Sequence, residues 1–275
     1  MTISKTQRWL LFAVLVIIAF LVNMPILSTI VNSLRTTENL LSSRTFDITD
    51  LTFQNYAYVS GRTRFWAFFG NSIFVSVSAA CLVVVVASLA GYAMSRYNGF
   101  VVTAYSRTLL MIQMFPLILA IIPLFILFRN LSLINSPLSV ILIYTVANLS
   151  FATWMFKSFF DSIPRELEEA AAVDGCSKVQ GLVRIILPLA GPGTAAVSIF
   201  AFLLAFNEFF IANVFLRDEA RLTLPVGIQI FTQQYGSDWG SLMAASTMTM
   251  LPTFCLFLFI QKYMLYSSIG AGVKG

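Results

Sequence analysis

PRELEEAAAVDGCSKVQGLVRIILP, residues 164–188, is a polar island between long apolar stretches. It carries four acidic and three basic residues, although charged residues make up only 11% of the chain. Hydrophobic residues account for 58% of the sequence and its mean hydropathy is +0.85, well above the usual values for soluble domains. The composition predicts an integral membrane protein, whose polar island must face water or a protein partner.

Six apolar windows surround this island. A helix needs about 20 mostly apolar residues to cross a hydrocarbon core about 30 Å thick. The sequence therefore predicts an all-α membrane protein with six transmembrane helices in a single domain, residues 1–275, and with both termini on one side. We expect kinks at Pro116 and Pro123, which lack a backbone donor. The predicted spans are residues 9–31, 68–94, 105–128, 137–156, 189–215 and 242–266.

The distribution of Lys and Arg predicts the orientation of these spans. With the N-terminus inside, ten basic residues lie in inner segments and seven in outer ones. Positive charge favours the cytoplasmic side, and four of the outer seven lie in the longest loop, where this rule is weakest. Both termini and the island are thus predicted to be cytoplasmic. The first window follows basic residues as a secretory signal would, but its length favours a retained span.

The chain lacks the usual signatures of catalysis and of metal binding. It contains no histidine, and its three cysteines, Cys81, Cys176 and Cys255, have no metal-site spacing. The motifs GxxxxGK[ST], GxSxG and HExxH are also absent. We therefore expect a non-catalytic chain without a metal site, and we attribute the basic pI to membrane topology rather than to nucleic-acid binding.

The island itself predicts a helix, a glycine turn and a second helix. Pro164 suits a first helical turn, and the glutamates after it favour the positive end of a helix dipole. Gly175 can adopt the left-handed conformation that ends a helix. Ser177 and Gln180 have capping-box spacing, and Pro188 is expected to stop the second helix.

A solvated connecting loop is the alternative interpretation of the island. Most connections in compact domains are only about 4–6 residues long. Residues 157–188 are far longer, and they combine an alanine-rich face with an acidic flank. A docking element for a cytoplasmic partner explains this length better.

Seven positions of the island match the EAA loop of ABC importer permeases, whose pattern is EAA-x3-G-x9-I-x-LP. The stretches AFNEFF at residues 205–210, TLPVG at 223–227 and GAGVKG at 270–275 are similar to the MalG-like branch of these permeases. The chain thus resembles the carbohydrate-uptake branch of the binding-protein-dependent transport system inner membrane component family. The matching motif residues are Glu169, Ala170, Ala171, Gly175, Ile185, Leu187 and Pro188.

This resemblance implies a type I ABC importer permease fold in the bacterial inner membrane. The implied partners are a second, MalF-like permease subunit, two copies of a cytoplasmic ATPase, and a periplasmic or lipid-anchored solute-binding protein. ATP and Mg would bind to the ATPases, so this chain would hold no cofactor. The solute-binding protein would meet the outer segments 32–67 and 217–241.

The resemblance also implies how the chain and the ATPases interact. The EAA helix would be a cytoplasmic coupling helix that seats in a groove of an ATPase, where Glu169 would pair with a basic residue. ATPase closure would then switch the permease between inward-facing and outward-facing states. A second ATPase contact would involve the C-terminal residues Gly270, Gly272, Lys274 and Gly275.

Candidate residues for lining a solute pathway are Gln113, Asn148, Asn207 and Glu208. Glu208 is the one acidic or basic residue well within any predicted span. Because a charge at the centre of a membrane helix costs roughly 2.5–3.5 kcal/mol, it should face protein or water. It either lines the pathway or bonds to nearby backbone. Relatives in the family commonly carry Trp before the Asn-Glu pair, whereas this chain has Phe206.

Two other function classes compete with an ABC permease. A secondary transporter normally needs several ionisable groups in the membrane, and this chain offers one. A membrane enzyme would need convergent catalytic residues, which the sequence does not show. Within the permease interpretation the solute stays open: a sugar, a polyol, a sugar glycoside or a glycerol phosphate.

Overall fold

The computed structural model of the chain describes residues 4–42, 50–234 and 238–272. Within these ranges all regular secondary structure is helical. The α-helices, in chain order, are α1 (Lys5–Ser33), α2 (Thr37–Leu41), α3 (Gln54–Arg62), α4 (Phe65–Arg96), α5 (Phe100–Met114), α6 (Ile121–Asn130), α7 (Pro137–Asp161), α8 (Glu166–Val173), α9 (Lys178–Gly181), α10 (Leu187–Leu189), α11 (Gly191–Phe206), α12 (Phe210–Phe215), α13 (Leu224–Gln234) and α14 (Trp239–Gly272).

Four of these helices are long and apolar enough to cross a membrane. They are α1, α4, α7 and the Trp239–Phe259 part of α14. Two further candidates are bent pairs: Phe100–Met114 with Leu117–Asn130, at 89°, and Lys178–Leu189 with Gly191–Phe206, at 84°. The described residues therefore provide four spans, or six if each bent pair is a single span.

The third predicted span is broken at one proline but not at the other. The chain leaves helical geometry at Phe115 and Pro116, as expected for a residue that lacks a backbone donor. The expected kink at Pro123 is wrong, because this residue is third in α6. The first backbone N–H groups of a helix have no partner within it, so a proline there removes no helical hydrogen bond.

The fifth predicted span, residues 189–215, is not one continuous helix. It contains α11 and α12, which a break at residues 207–209 separates.

The prediction that Pro188 stops the preceding helix is also wrong. A π-helical turn at Leu182–Ile186 leads into α10, so the helix continues through Pro188 and ends at Leu189. The wider turn changes the hydrogen-bond register just before the proline, which accommodates its missing N–H.

Two predicted spans end five or more residues before their helices do. α7 continues past residue 156 to Asp161, and α14 continues past residue 266 to Gly272. The polar residues near the C-terminal ends of α7 and α14 suit helices that extend beyond the hydrocarbon region. The sequence predicts a C-terminal tail after the sixth span, at residues 267–275, and residues 267–272 of this tail are helical.

The described residues form two compact units. The first lies within Met1–Trp66 and Ile228–Leu251, and the second within Ala67–Gly227 and Pro252–Gly275. The single domain over residues 1–275 stays a prediction. In the second unit α7 is the most deeply buried helix, and α11 packs along it. The large side chains that are fully buried in this unit are Tyr144, Phe156, Phe160, Phe206, Phe215, Leu182, Ile186, Leu216, Leu224 and Val75.

In this second unit α4 and α7 approach each other closely at Gly91. A Cβ atom at Gly91 would lie 2.7 Å from Cβ of Phe156 and 3.0 Å from the backbone nitrogen of Lys157. Small residues permit such close contact between membrane helices. The contact brings the end of α4 beside the end of α7, immediately before the polar island begins.

In the first unit polar contacts connect segments that are far apart in the chain. The side chain of Asn55 donates to the backbone oxygens of Ser33 and Arg35, both at 2.8 Å. Thr37 Oγ1 donates to Asp238 Oδ1 at 2.6 Å and accepts from the backbone N–H of Gly240 at 3.0 Å. These bonds attach the segment after α1 to the beginning of α14.

Candidate functional site

The polar island folds into the predicted helix, turn and helix. The first helix is α8, with Glu166, Glu168 and Glu169 in its first turn, where the helix dipole favours negative charge. It begins at Glu166, so Pro164 precedes the helix instead of occupying its first turn. Ser162 ends α7 only a few residues earlier. The island is therefore connected almost directly to a long helix of the membrane region.

Gly175 adopts the left-handed conformation that the sequence predicts, with φ of +84°. Its N–H donates to Ala172 O at 3.1 Å, and the N–H of Cys176 donates to Ala171 O at 2.9 Å. These two bonds form a Schellman motif, which satisfies carbonyl groups at the end of α8. A side chain at Gly175 would meet open space, so the requirement for glycine comes from the backbone.

Ser177 and Gln180 form the predicted capping box at the start of the second helix. The backbone N–H of Ser177 donates to Gln180 Oε1 at 2.8 Å, and the backbone N–H of Gln180 donates to Ser177 Oγ at 3.3 Å. Two backbone donors that the helix leaves unpaired are thus satisfied. The hairpin is a defined local structure, which distinguishes it from an ordinary solvated loop.

One side of the hairpin is exposed and carries much of the EAA motif. Glu169, Ala170 and Gly175 are exposed, and the neighbouring Val173 is 88% exposed. The remaining motif residues differ: Ala171 is buried, Ile185 and Leu187 are half-buried, and Pro188 is exposed.

The other side of α8 faces the end of α4. Glu168 Oε1 forms an ion pair with Arg96 Nε, and Glu168 Oε2 accepts a hydrogen bond from the Tyr92 hydroxyl at 2.6 Å. The side chains of Arg96 and Glu168 are only 8% and 18% exposed. Sequence reasoning missed this pair, because no local spacing connects residue 168 with residue 96.

Arg96 and Ser95 also bind the turn between α7 and α8. Arg96 Nη1 donates to Ser95 Oγ at 3.0 Å, and Arg96 Nη2 donates to the backbone oxygen of Ile163 at 3.1 Å. Ser95 Oγ donates to Asp161 Oδ1 at 2.6 Å. We call Tyr92, Ser95, Arg96, Asp161 and Glu168 the anchoring network. It joins the ends of α4 and α7 to α8.

A cleft of about 260 Å³ lies at the anchoring network, and Tyr92, Arg96 and Glu168 form part of its wall. At the edge of the cleft, Lys178 Nζ lies 4.9 Å from the centre of the Tyr97 ring and makes a cation–π contact with it. Arg165 and Glu169 also line the cleft, so both signs of charge face it. The cleft lies between the hairpin and the end of α4.

The candidate pathway residue Glu208 binds backbone in the break between α11 and α12. Its carboxylate accepts from the N–H groups of Ile211, at 3.1 and 3.0 Å, and of Ala212, at 3.3 Å. Oε2 also accepts from the Tyr144 hydroxyl at 2.8 Å. The second alternative for this residue, bonding to nearby backbone, is therefore observed, and a role in lining a pathway stays a prediction.

The other three pathway candidates have different surroundings. Asn148 is 6% exposed; its Nδ2 donates to Tyr144 O at 2.8 Å and its Oδ1 has no partner. Asn148 and Glu208 thus both bind Tyr144. Asn207 and Gln113 are exposed, and Asn207 Nδ2 donates to Leu203 O at 2.8 Å. Their roles in a pathway also stay predictions.

The predicted C-terminal contact is only partly within the described residues. Gly270 and Gly272 lie in the last turn of α14, whereas Lys274 and Gly275 lie outside the described residues. In the part of the chain that the structure describes, no group of three His, Cys, Asp or Glu side chains could hold a metal ion. The expectation that this chain holds no cofactor stays a prediction.

Comparisons with known proteins assign the chain to a family. Residues 83–265 match the family described as binding-protein-dependent transport system inner membrane component. The chain is 34% identical to the arabinooligosaccharides transport system permease protein AraQ of Halalkalibacterium halodurans, over 99% of this chain and 98% of that protein. It is also 34% identical to the trehalose/maltose transport system permease protein MalG of Thermococcus litoralis, over 82% of each chain.

A solved structure supports the same fold. A chain of a bacterial ABC transporter involved in the import of the acidic polysaccharide alginate superimposes with a TM-score of 0.81. The two chains are 23% identical, and the alignment covers 96% of this chain and 99% of that one. This likeness shows the ABC importer permease fold, which agrees with the helical architecture described above. The chain therefore belongs to the binding-protein-dependent transport system inner membrane component family and is a multi-pass transport permease.

Proposed function

We propose that this permease imports a carbohydrate or a carbohydrate-like solute, such as a sugar, a polyol or a sugar glycoside. The relatives at 34% identity that support this class carry names that refer to arabinooligosaccharides, to sulfoquinovosyl glycerol and to trehalose and maltose. In this proposal the chain forms half of the translocation pathway, and a second permease subunit forms the other half. A solute-binding protein delivers the solute to the outer segments 32–67 and 217–241.

The proposal that ATP hydrolysis takes place in partner subunits rests on the exposed side of α8, which offers a docking surface for an ATPase. Glu169 is exposed beside Ala170 and Val173, on a hairpin whose backbone ends are internally satisfied. Such a surface suits a preformed groove, because its alanines permit close approach and its carboxylate can pair with a basic side chain. Two ATPase subunits would dock in this way, one on each permease, with ATP and Mg bound to the ATPases.

Alternating access follows from this arrangement. Closure of the ATPase dimer moves the two coupling helices, and the spans attached to them move between inward-facing and outward-facing states. Both termini of this chain then lie in the cytoplasm, as the distribution of Lys and Arg predicts. The C-terminal residues 270–275 would form a further contact with the ATPases.

Reconstitution in liposomes tests this function. The permease is combined with the partner permease, the ATPase and the binding protein encoded beside it, and uptake of radiolabelled maltose, arabinotriose, diacetylchitobiose and glycerol phosphate is measured. We expect uptake of a carbohydrate that requires both ATP and the ATPase. Uptake by the permease without any ATPase would overturn the ABC assignment. Uptake of glycerol phosphate alone would overturn the carbohydrate assignment.

A further inference from the structure

Two adjacent glutamates of α8 have opposite surroundings. Both carboxylate oxygens of Glu168 are engaged, one by Arg96 and the other by Tyr92. The carboxylate of Glu169 is exposed and makes no hydrogen bond or ion pair with any residue that the structure describes. Consecutive positions of a helix lie about 100° apart around its axis, so the two side chains leave α8 in different directions, although both border the same cleft.

Arg96 connects three elements through a single side chain. Nε pairs with Glu168 on α8, Nη2 donates to the carbonyl of Ile163 in the turn after α7, and Nη1 donates to Ser95 on α4. Every nitrogen of this nearly buried guanidinium therefore has a partner. Arg165 Nη2 adds a bond from the start of α8 to the backbone oxygen of Ser95, at 3.1 Å.

Apolar contacts contribute little to the attachment of α8. Ala171 is the buried residue of this helix, and the burial of a single alanine removes little apolar surface from water. Among the described residues, the ion pair between Arg96 and Glu168 is the one ion pair that connects α8 with a long helix. The position of α8 relative to α4 thus depends mainly on the anchoring network.

We propose that Glu168 and Arg96 are positioning residues, which hold the coupling helix on the ends of α4 and α7. Glu168 binds the membrane helices, and Glu169 is left for the ATPase; this second assignment rests on the proposed function. A push on the exposed side of α8 then reaches α4 and α7 through the guanidinium of Arg96. The chain of contacts is continuous from the docking surface to the spans.

Removal of the Glu168 charge and removal of the Glu169 charge should have different effects. Glu168→Gln removes the carboxylate that pairs directly with the nearly buried guanidinium of Arg96 and leaves the Asp161 carboxylate, which Arg96 reaches through Ser95, as the nearby negative charge; we expect the attachment of α8 to loosen. Glu169→Gln removes an exposed charge and leaves the anchoring network unchanged. The two variants are matched, because they make the same substitution at adjacent positions of one helix.

A spin label on the permease alone tests the anchoring. Val173→Cys places the label on the exposed end of α8, in a chain whose native cysteines are replaced by Cys81→Ala, Cys176→Ser and Cys255→Ala. In nanodiscs, we expect Glu168→Gln to increase the mobility of the label and Glu169→Gln to leave it unchanged. Equal mobility in both variants would overturn the proposal.

A charge-exchange variant distinguishes loss of the ion pair from a general folding defect. The double variant Arg96→Glu with Glu168→Arg restores opposite charges at the same two positions. We expect its label to be less mobile than in Arg96→Glu or Glu168→Arg alone; the recovery is partial, because the bonds from Arg96 to Ser95 and Ile163 are lost. Mobility that stays high in the double variant, in a protein that elutes normally on size exclusion, would contradict an ion pair that positions α8.

The assembled transporter tests the division between the two glutamates. We expect Glu168→Gln to retain the ATPase and hydrolyse ATP while solute uptake per ATP falls roughly fivefold or more, within the range of known coupling energies. Glu169→Gln should instead lose ATPase during purification. Identical behaviour of the two variants would overturn the division. If even the wild-type chain binds no ATPase, the proposed function is wrong. The spin-label experiment uses the permease alone, so it still tests whether Glu168 and Arg96 hold α8 in position.

Discussion

The hydroxyl of Tyr144 on α7 donates a hydrogen bond of 2.8 Å to Oε2 of Glu208, in the break between α11 and α12. The same carboxylate accepts from the N–H groups of Ile211 and Ala212, which begin α12. An acidic side chain in the membrane region thus satisfies backbone donors that a broken helix leaves unpaired. The contact also joins two helices that are far apart in the sequence.

We expect Glu208→Ala to reduce thermal stability more than Tyr144→Phe. The first substitution leaves two N–H groups and a hydroxyl without their acceptor, whereas the second removes one hydrogen bond to a charged group, worth about 1.5–3 kcal/mol. Glu208→Gln is the control, because it keeps an acceptor oxygen. The melting temperatures of the detergent-purified variants give their order of stability. If Glu208→Ala melted like the wild type but abolished solute uptake, the pathway role would be favoured instead.

Gly175→Asp should uncouple ATP hydrolysis from transport while the permease still inserts in the membrane. Gly175 has φ of +84°, and a left-handed conformation costs an L-residue roughly 1–2 kcal/mol. The aspartate also adds charge at the proposed docking surface. Gly181→Ala is the matched control, since Gly181 has φ of −58° and open space around its Cβ position. Uptake per ATP in reconstituted liposomes measures the effect; an unchanged ratio for Gly175→Asp would contradict the coupling role of the turn.

Gly91→Ala should destabilise the protein by about 1–3 kcal/mol, the usual cost of overpacking. The new Cβ would lie 3.0 Å from backbone atoms of Thr153 and Lys157, which cannot move as a flexible side chain can. Gly70→Ala is the control in the same helix, because a Cβ there meets nothing within 4 Å. The melting temperatures of the two variants provide the comparison, and equal values would show that α4 and α7 can separate without cost.

The contact between Thr37 and Asp238 should weaken in acid. Burial raises the pKa of Asp238, but hydrogen bonds from Ser241 and Thr37 outweigh it and hold the pKa below its usual value of 3.8. A carboxyl whose pKa is lower in the folded state stabilises the fold above its unfolded pKa, and this contribution disappears as the pH falls through the folded pKa. Asp238→Asn should therefore lower the melting temperature at neutral pH and have a smaller effect below about pH 4. An equal effect of the substitution at both pH values would contradict this assignment.

Deletion of residues 270–275 should change ATPase activity without preventing assembly of the transporter. The proposed contact of these residues with the ATPases lies beyond the membrane part of α14, so their removal leaves the predicted span, residues 242–266, complete. ATP hydrolysis by the purified complex, with and without binding protein, is the measurement. A profile identical to that of the full-length complex would remove this segment from the coupling mechanism.

Local sequence predicted the hairpin well because its determinants are local. The left-handed turn at Gly175 and the capping box of Ser177 and Gln180 depend only on residues a few positions apart. The same reasoning failed at Pro123 and Pro188, where neighbouring turns decide whether a missing N–H matters. The break after Phe206 was missed because the apolar residues on both sides of Asn207 and Glu208 together fill one window of membrane-spanning length.

By itself the sequence determined the membrane class, the positions of the apolar helices and the motif that identifies the docking hairpin, since these follow from composition and short spacing. Only the tertiary structure decided that Glu168 faces inward, because its partner Arg96 lies 72 positions away in the sequence. It likewise decided that Glu208 binds Tyr144 and backbone N–H groups. The contact of Glu168 with Arg96 and that of Glu208 with Tyr144 join residues 72 and 64 positions apart, and no local pattern encodes such separations.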